Sequence, residues 1–77
     1  MHDYGERIVE APPDEVVEWL KTSAGSAGWT LMAIDDFGRG QHVTWVDAGD
    51  TNRRKAQLVA VVTPLDRGGC RVHMRER

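Results

Sequence analysis

Four side chains in this sequence of 77 residues carry donor atoms suited to a transition metal: His2, His42, His73 and Cys70. Cys70 and His73 stand three apart, and in an extended chain that spacing sends them to opposite faces, so they cannot share one ion. As a nucleophile the thiol has no catalytic signature around it. It shares its side of the segment with Val72 and Met74, and a thiol among apolar neighbours behaves as a small hydrophobe. Asp35 and Asp36 are adjacent, so their carboxylates diverge; beside Phe37-Gly38 they read as turn formers rather than an acid–base pair. Gly38-Arg39-Gly40 lacks the further glycine and the helix of a dinucleotide-binding loop, and the stretch from Gly49 to Lys55 lacks the Gly-Lys-Ser/Thr ending of a phosphate loop. The expectation is a chain with no catalytic residue, no metal and no cofactor.

Charge gives a stronger signal. Residues 1–37 carry eight acids against Arg7 and Lys21, a net of −6, whereas residues 38–77 carry eight bases against four acids, a net of +4. The plainer meaning is two solvated surfaces of opposite bias. The functional one is a basic sheet surface, built from Arg71, His73, Arg75 and the Arg53-Arg54-Lys55 cluster, that meets an acidic partner. An isoelectric point near 5.8 and the lack of aromatic residues interleaved with the arginines argue against nucleic acid. Trp19, Trp29, Met32, Trp45 and Met74 form a second group, large and adaptable enough to line an interface or a hydrophobic ligand. Packing in the core is the competing role for all five.

The elements that must position these groups follow from periodicity. Glu6 to Ala11 is a strand candidate stopped by Pro12-Pro13. Pro13 suits a first helical position, Asp14 and Glu15 place negative charge at the positive end of the dipole, and Val16, Val17, Leu20 and Ala24 repeat at helical spacing. Gly25 and Gly28 end that helix. Trp29 to Ile34 is an apolar strand stopping at Asp35-Asp36, and Phe37 to Gly40 has the glycines of a hairpin. Gln41 to Val46 returns, Ala48 to Arg54 is a polar connection, and Lys55 to Thr63 is the longest β run. After a turn at Asp66 to Gly69, residues Cys70 to Glu76 alternate, with Cys70, Val72 and Met74 on one side and Arg71, His73 and Arg75 on the other. The order is βαββββ, an α+β domain with one N-terminal helix packed on an antiparallel sheet, and the length allows a single small domain over 1–77.

Ile8 to Leu20, with its apolar strand, proline and acidic helix start, resembles the first strand and first helix of the SRPBCC superfamily, the Bet v 1-like or START-like helix-grip proteins that include polyketide cyclases. Val61 to Val72 is similar to a hairpin late in that family's sheet, and Trp29 falls where a tryptophan often follows its second short helix. The resemblance implies a ligand such as a lipid or aromatic polyketide held between helix and sheet. Relatives of that kind are longer and end in a long helix gripped by the sheet; this sequence reads as a truncated form without it, so a second copy or a partner would have to complete the pocket.

A lone cysteine and the lack of a leader or of a membrane-length apolar run suggest a cytoplasmic protein. Arginine outnumbers lysine eight to two, the bias of GC-rich coding as in actinobacterial or phage genomes. With both sides of the Trp29–Ile34 and Lys55–Thr63 runs rich in aliphatic residues, one helix is expected to leave the second sheet face in need of a cover. The leading expectation is therefore a non-enzymatic interaction module that forms a homodimer or docks on a protein partner, in one version a phage-encoded effector acting on a host protein. A helix-grip binder of a small hydrophobic ligand is the alternative.

Overall fold

Pro12 and Pro13 separate a strand from a helix, and the fixed φ of proline serves both neighbours. Pro12 is extended (φ −62°, ψ 149°) and lies just outside the helix, while Pro13 occupies its first turn, where a missing N–H costs nothing. A computed structural model describes residues 2–38, 40–47 and 56–77 of the chain. Its elements are β1 (His2–Val9), α1 (Pro13–Ser26), β2 (Trp29–Phe37), β3 (Gly40–Asp47), β4 (Gln57–Pro64) and β5 (Cys70–Glu76). The fold is α+β, with one helix after the first strand and an antiparallel sheet of five strands in the order β1-β5-β4-β3-β2. Strands β2 to β5 form a meander. β1 pairs with β5, so α1 carries the chain from one edge of the sheet to the other.

The helix packs through the stripe its spacing implied: Val16, Val17, Leu20 and Ala24 are buried. They rest on Val43 and Trp45 of β3, Leu58, Ala60 and Val62 of β4, and Cys70 and Val72 of β5. Each large aliphatic side chain buried there contributes on the order of 1.5–3 kcal/mol relative to exposure. This is the helix side of the sheet. The far side carries the alternate residues, among them His42, Thr44, Val59, Val61, Arg71, His73 and Arg75, as the cross-strand register requires.

Two strands differ from their expected limits. β2 runs on through Asp35 and Asp36, because β3 pairs with them (Asp35 opposite His42, Asp36 opposite Gln41) and the Gln41 amide donates to Asp36 Oδ1 at 3.1 Å. Ladder hydrogen bonds thus override the turn preference of the two aspartates. β1 begins at His2 and ends at Val9, earlier than the apolar centre suggested, with an irregularity between Asp3 and Gly5. At the β4–β5 turn, Gly69 takes φ +79°, and a Cβ there would lie 2.7 Å from the Val9 carbonyl oxygen. Only glycine lets the start of β5 pass so close to the end of β1.

Candidate binding groove

A helix with its side chains is about 10 Å across, whereas five strands at about 4.8 Å spacing span about 20 Å, so one helix covers about half of one sheet face. Which half is settled by the crossover: α1 rests against β2 and β4, over Trp45 of β3. The β1–β5 half of the helix side is left as an open groove of about 870 Å³. Its floor is Leu58, Val72 and Met74, its inner wall is the Val16, Trp19 and Leu20 side of α1, and its outer wall is β1 from Tyr4 to Val9. Trp29 and Ala27 close one end.

The groove brings together part of the aromatic and methionine group. Trp19, Trp29 and Met74 line it, and Trp19 stands on the helix wall 64% exposed. Trp45 does not belong to it: at 1% exposed it is buried in the core with α1, its indole N–H lacking an acceptor among the described residues. Met32 is at the opposite edge of the sheet, in an irregularity of β2 between Leu31 and Ala33, 53% exposed. These two differ from the expected lining because lateral position in the sheet depends on strand order, which a one-dimensional pattern does not carry.

Two charged groups that the sequence did not single out stand on the rims, Arg7 on β1 and Glu15 on α1. Arg7 is opposite Val72 in the register, which turns it to the helix side. Among the described residues no carboxylate pairs with it. The two-residue spacing puts Arg7 and Val9 on one side of a strand; that β1 lies beside β5, and so borders a groove, was not legible. At the mouth, Tyr4 donates to Glu76 Oε2 at 2.7 Å, a bond that holds the phenol proton above its usual range.

Of the expected basic surface, Arg71, His73 and Arg75 do share the far side of β5. Acids stand opposite them on β1: Glu6 approaches Arg71 Nε at 3.9 Å, and His73 Nε2 donates to Asp3 Oδ1 at 2.9 Å. Arg75 faces Asp3 across the strands. The surface is therefore mixed in sign. Arg53, Arg54 and Lys55, with the rest of the connection from Ala48, lie outside the described residues.

Cys70 is fully buried on the helix side, away from His73, and desolvation pushes its thiol above the ordinary range. Among the described residues no three His, Cys, Asp or Glu side chains gather as a metal ion would require, and no helix is long and apolar enough to cross a membrane. Comparison with protein-family models, with curated proteins and with solved structures gave no match.

Proposed function

We propose that this protein is a small non-enzymatic interaction module that takes the apolar face of a partner protein's amphipathic helix into the groove beside α1. The uncovered half of the helix side is the observation that carries this reading: a sheet of this width has room for two helices, and the described residues supply one. A second helix would pack about 8–10 Å from α1, resting residues spaced i, i+3, i+4 and i+7 on Val72 and Met74 and against Trp19. An acid on its outer rim would meet Arg7, and a base on its inner rim would meet Glu15. The likeness to helix-grip domains belongs to the same reading, with the partner's helix standing where those domains place their own.

The helix of a second copy is a poor occupant. The apolar stripe of α1 is spent on its own sheet, and its outer surface presents Asp14 and Glu18, the latter bound to Lys21 at 3.0 Å. A hydrophobic small ligand is the second reading, favoured by a volume of about 870 Å³ within the usual range for such sites and by a cation, Arg7, available for an anionic head.

The test is fluorescence anisotropy with a labelled, leucine-faced amphipathic probe peptide of about 14 residues, about the length of α1. Saturable binding that Trp19→Glu weakens about tenfold or more, and that Phe37→Ala on the far side leaves intact, supports the helix reading. A hydrophobe retained in native mass spectrometry, with no peptide binding until it is stripped, moves the assignment to the small ligand. No binding of either kind by the folded chain overturns both.

A further inference from the structure

We propose that two copies of the chain associate through β2, strand to strand and antiparallel, so that the sheet continues across a twofold axis. The surface is the β2 edge, which shares only Trp29 with the groove, and the inference does not rest on the reading above. The sheet has two edges, β1 and β2. β1 has the features that keep an edge from pairing: Asp3, Glu6 and Arg7 along it, and an irregularity at Gly5, whose φ is +84°. β2 has little of this. Trp29–Phe37 contains no lysine, arginine or proline, its two acids sit near one end, and Leu31, Met32, Ile34 and Phe37 are 40%, 53%, 39% and 47% exposed. Four large apolar side chains exposed on one edge strand, whose guards are an irregularity at Met32 and two acids near one end, are the pattern that native sheets avoid unless the edge is used.

The strand is also complementary to itself in one register. Because of the extra residue at Met32, Trp29, Leu31, Ile34 and Asp36 share the helix side, while Thr30, Ala33, Asp35 and Phe37 share the far side. An antiparallel pairing that sets Leu31 against Ile34 of the second copy therefore matches sides at Trp29, Thr30 and Leu31 and at their partners. It sets Thr30 against Asp35 and Trp29 against Asp36 of the second copy, so that a hydroxyl meets a carboxylate and no acid meets an acid. A slip of one residue sets helix-side residues against far-side ones and loses this match. One strand pair buries less than a standard interface of about 1,600 Å², so the dimer is expected to be reversible and concentration-dependent.

Sedimentation equilibrium of the full chain over a wide concentration range tests this. The expected result is a monomer–dimer equilibrium whose association constant falls about tenfold or more with Ile34→Lys, on a side chain exposed enough to leave the fold intact, and does not change with Ile8→Lys on the β1 edge. Thr30→Glu, which opposes an acid to Asp35, should weaken the dimer, and adding Asp35→Lys should restore it. A chain that stays monomeric at the highest concentration overturns the proposal, whether or not it binds the probe peptide. Equal loss from Ile8→Lys and Ile34→Lys, or no rescue in the Thr30→Glu, Asp35→Lys pair, does so too.

Discussion

The two sides of β4 carry similar side chains and meet very different surroundings. Leu58, Ala60 and Val62 lie on the side that α1 covers, while Val59 and Val61 lie on the far side, where no helix packs among the described residues. Yet Val59 is 1% exposed and Leu58 is 7%. The far side hides its valine with neighbours in the sheet itself: Thr44 and Arg75 flank Val59 in the cross-strand register, and the methylene stem of an arginine covers apolar surface while its head stays in water. Val59 is thus buried without a further layer over it. Counting aliphatic residues by face overstates the need for a cover wherever long polar side chains stand beside them. Exposed apolar surface lies on both sides: Ile8 and Phe37 on the far side, at 67% and 47%, and on the helix side the groove with Leu31 and Ile34 of β2.

The largest effect should come from the side that depends on the helix. Trp45→Ala removes the largest fully buried side chain of the core, a loss of about 3–5 kcal/mol for such a truncation, enough to unfold a domain of this size. Trp45→Phe should cost far less, within about 1 kcal/mol, because it also removes a buried N–H without an acceptor among the described residues, itself a penalty of about 1–3 kcal/mol. Urea unfolding of both variants measures this. If Trp45→Phe is as damaging as Trp45→Ala, the ring volume alone holds the covered side together.

How far this could be seen in the sequence varies by element. β5 alternates strictly between an upstream glycine turn and the chain end, and its observed limits, Cys70–Glu76, match the expected ones. The start of α1 at Pro13 and its buried stripe were equally legible, since proline and 3.6-residue spacing act locally. β2 was read too short because Asp35 and Asp36 favour turns on their own and become strand only through pairing with His42 and Gln41. The groove was legible in part. Trp19, Trp29 and Met74 stood out by size, but separating them from the buried Trp45 and the edge residue Met32 requires knowing that β1 returns to pair with β5, a contact between the two ends of the chain. Arg7 carried no signal and Glu15 only that of a helix start, since a charged residue beside a groove looks like any other solvated one until the neighbours are placed.

An intermediate effect separates the two ways of hiding an aliphatic side chain. Val59→Ala should cost about 1–2 kcal/mol although no helix among the described residues lies over it, because the side chain is buried. Arg75→Ala should cost about 0.5–1 kcal/mol through the loss of its covering stem, and Arg75→Met, which keeps an unbranched stem without the charge, should recover most of that. Thermal unfolding at high salt, where the Arg75 charge counts for little, reads the stem alone. If Arg75→Ala is neutral there, Val59 is hidden by the sheet backbone and Thr44, and the contrast between the two sides narrows to the helix itself.

The smallest effect is electrostatic and lies on the far side, at the β1–β5 edge. The Asp3 carboxylate accepts from the Gly5 backbone N–H at 2.7 Å and from His73 Nε2 at 2.9 Å, and these two bonds, the first the larger, hold its pKa below the ordinary 3.8. The folded state thus binds that proton less readily than the unfolded chain, so the contribution is fully present above about pH 3.8 and disappears as pH falls through the lower folded value. Asp3→Ala should therefore lower the melting temperature slightly at neutral pH and match the parent chain in strong acid. Asp3→Asn, which keeps an oxygen for Gly5 but no charge for His73, should fall between them, and added salt should shrink only the part owed to the ionic partner. A gap between parent and Asp3→Ala that stays constant across the acid range would mean that the carboxylate's charge plays no part, leaving the far side held by packing alone.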